Sequence, residues 1–212
     1  MPRLAVLVCL LLAAVACDRS AGDGPAAPAG GSNPAREQEQ FDATRQPARV
    51  VEALGIGPGS RVADVGAGTG LLTVHLARAV APNGTVVATD IQDAVLELLK
   101  TRLAAAGLAN VVEPRVVGAE TPGLEPAAYD AILLAEVDHY FTDPVAWLKA
   151  ATASLKPTGR LVISNRVTHR AQSLAAAAKA GLVLKQQSTP VPSHFIAVFE
   201  APRQETSRGE SK

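Results

Sequence analysis

The chain has 212 residues, of which 48% are apolar and only 3% aromatic, so alanine, valine and leucine must supply most of its core. Twenty basic residues balance twenty acidic ones, and this balance argues against binding of nucleic acid through a strong positive field. Both cysteines, Cys9 and Cys17, lie in the first 17 residues. The rest of the chain therefore has no disulfide framework and no cysteine-rich zinc site.

The first 17 residues are organised like a bacterial secretion signal. Arg3 precedes an apolar run, residues 4–16, which has the length of a signal-peptide hydrophobic region and is short for a membrane span. The run ends in AVAC, which resembles a lipobox, in which the cysteine becomes the lipidated N-terminus. The sequence thus predicts a lipid anchor at Cys17 and a periplasmic-side envelope location. An ordinary cleaved signal or an uncleaved anchor is the alternative, and without use of the signal the protein would be cytoplasmic.

Composition divides the remainder into three parts. Residues 18–40 are rich in glycine, proline and alanine and are predicted to form a flexible linker. The tail, residues 202–212, is polar and is predicted to be disordered. The folded domain is therefore expected in residues 41–201.

Apolar runs alternate with helical spacing along this domain. In the first half, the pattern predicts a helix ending near Leu54 with Pro47 in its first turn, strand 61–65, helix 71–81, strand 85–90, and a helix capped by Asp93 and followed by Gly107. In the second half, it predicts strands 111–117 and 129–134, helix 144–155 with Asp143 as N-cap, strand 160–164 and helix 170–180. Two last strands, 182–186 and 194–199, are expected to be joined by a loop at 188–193. The helix after Asp93 is expected to bury Val95, Leu98, Leu99, Leu103 and Ala106. Such alternation is typical of an α/β fold with a mostly parallel sheet and helices on both faces.

Three glycines, Gly66, Gly68 and Gly70, follow the first predicted strand. Ligands of such sheets bind beyond the carboxyl ends of the strands, where glycines let the chain turn sharply and let a ligand contact the backbone. Asp90 ends the second strand and is placed to accept hydrogen bonds from ribose hydroxyls. The pattern predicts a nucleoside-containing ligand. The spacing G-x-G-x-G differs from the G-x-G-x-x-G of dinucleotide binders, and a tight turn without a ligand is the alternative.

The stretch DVGAGTG, residues 64–70, resembles the first motif of class I S-adenosylmethionine-dependent methyltransferases. The resemblance covers residues 41–201 and includes Asp90, YDAILL at 129–134 and LKPTGRL at 155–161. It implies a Rossmann-like seven-stranded methyltransferase sheet, mostly parallel with the last strand antiparallel, and helices on both faces. It also implies S-adenosyl-L-methionine as cofactor. The methyl acceptor is predicted to be a small molecule or an envelope component, because the folded domain offers no basic groove for RNA and no long insert to hold a protein substrate.

The resemblance also implies roles for single residues. Cofactor contacts are expected from Asp64, Gly66, Ala67, Gly68, Gly70, Asp90, Ile91, Glu120 and Glu136. Asp64 would help to hold the methionine ammonium, and Ile91 would pack on the adenine. An acidic residue of the family usually meets the adenine amine after the third strand, and here Glu120 or the Ala119 backbone must serve. Glu136 would face the methyl group.

Candidate catalytic residues follow the fourth strand. Asp138 and His139 could accept a proton from the acceptor, and the alternative is a packing or capping role for each. Glu136, Asp138 and His139 match no metal-ligand spacing, so no metal site is predicted. Arg45 and Arg49 could contact the methionine carboxylate or the acceptor, or could lie on a solvated helix face.

The predicted export signal leaves three functional hypotheses open, because S-adenosylmethionine is made in the cytoplasm. The first is an active methyltransferase. The second is an envelope-anchored, non-catalytic nucleoside-binding module that retains the methyltransferase fold. The third, a nicotinamide oxidoreductase, requires a glycine spacing that this sequence lacks.

Overall fold

The computed structural model describes residues 33–202. The predicted signal peptide and lipid anchor, the greater part of the linker and residues 203–212 lie outside the described residues. A helix begins at Pro34, so residues 34–40, which were expected to belong to the linker, are helical. Within residues 33–202 no helix combines the length and the apolar character that crossing a membrane requires.

Seven strands form one sheet within the described residues. They are β1 (Arg61–Val65), β2 (Thr85–Asp90), β3 (Val112–Val116), β4 (Tyr129–Ala135), β5 (Leu155–Arg166), β6 (Val183–Val191) and β7 (His194–Glu200). Their order across the sheet is β3-β2-β1-β4-β5-β7-β6. The first five strands pair in parallel, and β7 runs antiparallel to both of its neighbours. This arrangement confirms the predicted fold class.

Helices cover both faces of the sheet. They are α1 (Pro34–Arg45), α2 (Pro47–Leu54), α3 (Thr73–Val80), α4 (Asp93–Ala105), α5 (Pro144–Thr152) and α6 (Arg170–Lys179). Side chains of α2, α3 and α4 form one apolar cluster with the sheet, and those of α5 and α6 form a second cluster on the other face. The central strands are buried on both faces, which explains their continuous runs of valine, alanine and leucine.

Helix boundaries follow local chemistry at two places. The helix predicted to end near Leu54 with Pro47 in its first turn is α2, and Gln46, in a left-handed conformation with φ 49°, separates it from α1, which was not predicted. Asp143 caps α5 as predicted: its carboxylate accepts hydrogen bonds from the backbone N–H groups of Val145 and Ala146.

Three other expectations were wrong in detail. Asp93 is the first residue of α4 and not its cap, because Gln92 occupies the cap position. Of the residues expected to be buried after Asp93, Leu99 and Leu103 are buried, Val95 is half-buried, and Leu98 and Ala106 are exposed, while Leu96 is buried instead. The loop expected at 188–193 is mostly strand, since β6 continues to Val191.

The strand order determines where a ligand can bind. The chain passes from β1 to β2 on one side and later returns to place β4 on the other side of β1. A crevice therefore opens at the carboxyl end of β1. The residues after β1, β2 and β4 meet at this edge. His194 also lies at this edge, because it begins the antiparallel β7 opposite Arg166.

Candidate functional site

The glycine turn after β1 combines dense packing with an open surface. Gly66, Gly68 and Gly70 all have positive φ angles, of 67°, 56° and 85°. A Cβ atom on Gly66 would lie 2.8 Å from Cγ2 of Val137, whereas a Cβ on Gly68 would have no atom within 4 Å. Gly66 is thus required by packing, and Gly68 leaves its space free for a ligand.

Asp90 ties this turn to the chain that follows β2. Its Oδ2 accepts a hydrogen bond from the Gly68 N–H at 3.0 Å, and its Oδ1 accepts one from the Gln92 N–H at 3.0 Å. The Ala67 N–H donates to the Thr89 carbonyl at 2.9 Å. An ionised carboxylate has about four acceptor positions, so Asp90 retains acceptor capacity for the hydroxyls of a bound ribose.

Asp64 is a buried acid at the base of the turn. Its side chain is 1% exposed, and its Oδ2 accepts a hydrogen bond from the Thr73 hydroxyl at 2.7 Å. Burial raises the pKa of Asp64 to about 6, although the Thr73 bond opposes the rise, and the nearby charge of Asp90 adds to it. A cation placed beside Asp64 would be stabilised by the ionised carboxylate.

A first cavity, of about 260 Å³, opens between the ends of β1, β2 and β4. It is lined mainly by apolar groups together with Asp90, and its walls include Val65, Thr89, Ile91, Val117, Gly118, Ala119, Val137, Tyr140, Phe141 and Trp147. Glu120 does not line this cavity, and its Oε1 accepts a hydrogen bond from the Thr142 hydroxyl at 3.0 Å. The residues after β3 that line the cavity are Val117, Gly118, Ala119 and Thr121, and not Glu120.

A second cavity, of about 160 Å³, lies under α1. Its walls include Phe41, Arg45, Asp64, Gly66, Ala67, Gly68, Thr69, Leu71, Leu72, Ala135 and Glu136. The two cavities share Gly66 and Glu136. Of the predicted cofactor residues, Gly70 and Glu120 line neither cavity, while the other seven line one or both.

Three basic side chains from distant parts of the chain surround Glu136. Arg45 of α1 forms an ion pair with its Oε1, the Arg166 Nε donates to its Oε2 at 3.1 Å, and the His194 Nε2 lies 3.3 Å from Oε1. Burial opposes ionisation of Glu136, but the hydrogen bonds from Arg45 and Arg166 and the charge of Arg45 lower its pKa. Burial and the charge of Arg45 lower the pKa of His194.

The Glu136 backbone is also unusual, with a φ of 55°. Residues other than glycine take this conformation rarely, and such positions concentrate at functional sites. The backbone turn places the Glu136 carboxylate at the boundary of the two cavities, where it meets Arg45.

Helix α1 is fixed over the glycine turn by a buried arginine that the sequence interpretation missed. The Nε of Arg102 donates to the Thr69 carbonyl at 2.8 Å, and its Nη1 donates to the Pro34 carbonyl at 3.0 Å. Gln38 adds a bond from its side-chain amide to the Leu71 carbonyl at 3.0 Å. The available signal was that Arg102 interrupts the apolar face of α4 between Leu99 and Leu103.

Asp138 faces the protein interior. It is 5% exposed, its Oδ1 accepts a hydrogen bond from the Asn165 amide at 2.6 Å, and its Oδ2 accepts one from the Ser173 hydroxyl. It lines neither cavity. The packing role that the sequence left open accounts for these contacts.

His139 is likewise held by neighbouring rings. Its ring stacks on that of His169 with centroids 4.2 Å apart, and its Nδ1 lies 3.0 Å from the Asn165 amide nitrogen. Burial and the nearby His169 lower the pKa of His139. The structure does not bring His139 to either cavity, so its catalytic role stays a prediction.

The comparisons with known sequences point to one class of enzyme. Residues 63–161 match a family model described as a methyltransferase domain. The UbiE ubiquinone/menaquinone biosynthesis C-methyltransferase of Teredinibacter turnerae is 34% identical over 114 residues, which are 54% of this chain and 46% of that protein. The corresponding enzyme of Shewanella sp. (strain W3-18-1) is also 34% identical, over 54% of this chain and 45% of its own. The chain thus spans less than half the length of these curated relatives.

Solved structures share the fold. A SAM-dependent methyltransferase from Aquifex aeolicus superposes with a TM-score of 0.70 at 20% identity and covers 80% of this chain and 98% of its own. The geranyl diphosphate C-methyltransferase of Streptomyces coelicolor A3(2), solved with S-adenosyl-L-homocysteine, superposes with a TM-score of 0.65 at 16% identity. It covers 80% of this chain and 82% of its own. With the family match, these neighbours support a methyltransferase domain and S-adenosyl-L-methionine as its cofactor.

Proposed function

We propose that the chain is a class I S-adenosylmethionine-dependent methyltransferase that acts on a small-molecule acceptor. The observation that carries the proposal is the pair of adjacent cavities at the carboxyl edge of the sheet. One is largely apolar, and the other is lined by opposite charges, with Gly66 and Glu136 common to both. Such a site suits a ligand with a nucleoside at one end and an amino-acid zwitterion at the other.

The first cavity would take the nucleoside. Asp90 would accept hydrogen bonds from the ribose hydroxyls, because its carboxylate already faces the turn and retains free acceptor positions. Ile91, which is 58% exposed at the cavity wall, would pack on one face of the purine. The Ala119 backbone would meet its edge.

The second cavity would take the amino acid by an exchange of ion pairs. Arg45 and Glu136 pair with each other across this cavity. The ligand carboxylate would pair with Arg45, and the ligand ammonium would lie near Glu136 and Asp64. The two protein charges are thus complementary to the two ends of a zwitterion, and opposite charges at these distances stabilise the ionised forms.

The chemistry requires mainly alignment. The acceptor nucleophile attacks the methyl carbon of the sulfonium, the carbon–sulfur bond breaks, and its electron pair stays on sulfur to give the neutral thioether. Holding the two reactants in line supplies much of the rate enhancement. The carboxylates of Asp64 and Glu136 would favour the cationic cofactor over its neutral product.

Calorimetry with three ligands tests the binding part of this proposal. The full chain is titrated with S-adenosylhomocysteine, 5′-methylthioadenosine and NAD. We expect the first to bind most tightly, the second more weakly because it lacks the amino acid, and NAD not at all. An absence of heat with S-adenosylhomocysteine at millimolar concentration would defeat the proposal, and binding of NAD alone would favour the oxidoreductase hypothesis.

Turnover separates an enzyme from a binding module. The curated relatives are named as C-methyltransferases of quinone biosynthesis, so aromatic precursors of that kind form the first acceptor panel. Formation of S-adenosylhomocysteine from S-adenosylmethionine, measured by mass spectrometry, is expected with at least one acceptor. One observation favours the non-catalytic alternative: the Glu120 side chain does not reach the cavity where the family usually places an acid. Tight binding without turnover across the panel would support that alternative.

The envelope location belongs to the proposal as well. It is supported by the sequence of residues 1–17 alone. When the protein is expressed in a bacterial host with radiolabelled palmitate, the label should be incorporated covalently into the wild-type chain and not into the Cys17→Ala variant. Equal labelling of the two proteins, or labelling of neither, would contradict a lipid anchor at Cys17.

A further inference from the structure

The first residue of β7, His194, is buried beside the Glu136 carboxylate. It is 8% exposed and lies opposite Arg166 in the pairing of β5 with β7. Its Nε2 is 3.3 Å from the Glu136 Oε1 but forms no hydrogen bond to any atom in residues 33–202. Buried polar groups are nearly always hydrogen-bonded, because an unsatisfied one destabilises the folded state. The free protein thus holds a buried ring nitrogen next to an acceptor without joining the two.

The other ring nitrogen determines where the proton of His194 lies. The Ser193 Oγ is 2.8 Å from Nδ1, and the Ser193 hydroxyl can donate a hydrogen bond to it. Burial, followed by the charge of Arg45, lowers the pKa of His194, which favours the neutral ring near pH 7. A neutral ring that accepts at Nδ1 carries its N–H on Nε2. The N–H of His194 is therefore on the nitrogen beside Glu136.

Two arginines hold the Glu136 carboxylate in the free protein. Arg45 pairs with Oε1, the oxygen nearest to His194, and the Arg166 Nε donates to Oε2. The Arg166 side chain is 67% exposed, so its ion pair is screened by water. If the ligand carboxylate pairs with Arg45, Oε1 loses its charged partner and Glu136 keeps only the exposed one. The buried N–H of His194 is close enough to take the vacated place on Oε1.

We propose that His194 is a positioning residue that holds the Glu136 carboxylate at the boundary of the two cavities once the cofactor has drawn Arg45 away. The inference rests on the proposed function, since it assumes that the amino-acid end of the ligand pairs with Arg45. His194 acts through Glu136 and does not contact the ligand, because its Nε2 is buried and it lines neither cavity. Glu136 lines both cavities, and its carboxylate is thereby kept in place for the ligand ammonium.

The test uses the full chain and two substitutions that differ by one methylene group. The side-chain amide nitrogen of His194→Gln reaches the position of Nε2, whereas that of His194→Asn lies near the position of Nδ1 and is too far from Oε1. Calorimetry measures the dissociation constants for S-adenosylhomocysteine and 5′-methylthioadenosine. His194→Asn is expected to lower the affinity for S-adenosylhomocysteine by about tenfold, as loss of one hydrogen bond to a charged group does. Its affinity for 5′-methylthioadenosine, which has no ammonium, should be unchanged, and His194→Gln should bind both ligands like the wild type.

Two controls separate a positioning role from a structural one. His169→Asn makes the same change at a histidine that lines neither cavity and should leave both affinities unchanged. In a double-mutant cycle, His194→Asn should cause no further loss of affinity for S-adenosylhomocysteine when Glu136→Ala is already present, because the carboxylate that it positions is gone. A structural role would give the same loss in both backgrounds.

A measurement on the wild type does not depend on how well the variants fold. In NMR spectra of the histidine rings, the Nε2–H signal of His194 should move downfield when S-adenosylhomocysteine binds, because the N–H gains a charged acceptor. The signal should stay in place with 5′-methylthioadenosine, which leaves Arg45 on Glu136. An unchanged signal with S-adenosylhomocysteine would overturn the inference.

Three results with the variants would overturn it as well. They are a wild-type affinity of His194→Asn for S-adenosylhomocysteine, a loss of the same size for 5′-methylthioadenosine or in His194→Gln, and an undiminished loss in the Glu136→Ala background. If the wild-type chain itself does not bind S-adenosylhomocysteine, the proposed function fails and takes this inference with it. Binding by the wild type together with any of the three results defeats the inference alone.

Discussion

Replacing the buried Asp64 with asparagine should stabilise the free protein and weaken cofactor binding together. Asparagine has nearly the same shape as aspartate, and its side-chain oxygen can still accept the hydrogen bond from Thr73. The variant therefore removes a titrating carboxyl group and little else. In the ligand-free chain that carboxyl group is almost completely buried, so its ionised form is disfavoured.

The size of the effect follows from the pKa. The folded-state pKa of Asp64 is raised from 3.8 to about 6, which corresponds to about 3 kcal/mol. Because the folded state holds this proton more tightly than the unfolded state, stability is lost as the pH rises from about 4 to above 6. Integrated over pH 4.5 to 7.5, the expected loss is about 2 kcal/mol. Asp64→Asn lacks this loss.

Urea denaturation at pH 4.5, 6 and 7.5 measures the difference. The free energy of unfolding of Asp64→Asn, relative to the wild type, should increase by about 2 kcal/mol over this range. Asp130→Asn provides a control whose difference from the wild type should stay nearly constant over this range, because hydrogen bonds from Lys156 and the Arg61 N–H lower the pKa of Asp130 despite its burial, so that it titrates below this range. A constant difference between Asp64→Asn and the wild type at all three pH values would refute the reasoning.

Cofactor binding supplies the second half of this prediction. A ligand ammonium near Asp64 stabilises the ionised carboxylate, so the affinity for S-adenosylhomocysteine should rise as the pH increases through about 6. In Asp64→Asn that rise should disappear. Calorimetry at the same three pH values detects it, and an equal pH dependence in both proteins would exclude Asp64 as its source.

Three further predictions concern the glycine turn, the second cavity and the predicted base. Gly68→Ala should cost about 1–2 kcal/mol of stability, because its φ is positive, and should also abolish S-adenosylhomocysteine binding, because its Cβ enters open space at the cavity wall. Gly107 has a similar φ, and a Cβ there would have no neighbour within 4 Å, so Gly107→Ala should lose the same stability and bind S-adenosylhomocysteine normally, both measured by calorimetry. Equal binding by the two variants would contradict a ligand at Gly68. Arg45→Met should lower the affinity for S-adenosylhomocysteine by about tenfold, as loss of a charged hydrogen bond does, and leave the affinity for 5′-methylthioadenosine unchanged. The same change at the exposed Arg49 serves as its control. A loss of affinity for both ligands would contradict a contact between Arg45 and the amino-acid end of the ligand. Asp138→Asn should lower the free energy of unfolding by about 1–3 kcal/mol, because the carboxylate accepts two buried hydrogen bonds, and a normal stability with lost turnover would instead support a catalytic base.

The fold was predictable because its signals are local. Strands such as β4 are continuous apolar runs bounded by polar residues, and the alternation of strands and helices limits the topology to few choices. The wrong prediction that Leu98 of α4 is buried, where the structure buries Leu96, has a different origin. Both leucines fit an apolar stripe, and only the packing of α4 against the sheet selects between them.

The cofactor turn was predictable for a related reason, since Gly66, Gly68 and Asp90 are adjacent to strand ends that the sequence defines. The cluster around Glu136 was not. Arg45, Arg166 and His194 lie in separate parts of the chain, and only the sheet order brings them to one carboxylate.

Helix α1 escaped prediction because composition masked its start. Residues 34–40 follow directly on a glycine- and proline-rich tract, and their helical state depends on contacts with Arg102 and the Leu71 carbonyl. Those contacts are tertiary.

A crystal structure of the full chain with S-adenosylhomocysteine examines the binding mode most directly. The purine should occupy the space between Ile91 and Val137, the ribose hydroxyls should contact Asp90, and the amino acid should lie beside Arg45 with its former contact to Glu136 released. A ligand bound elsewhere, or an intact Arg45–Glu136 pair closing the second cavity in the complex, would contradict the assignment.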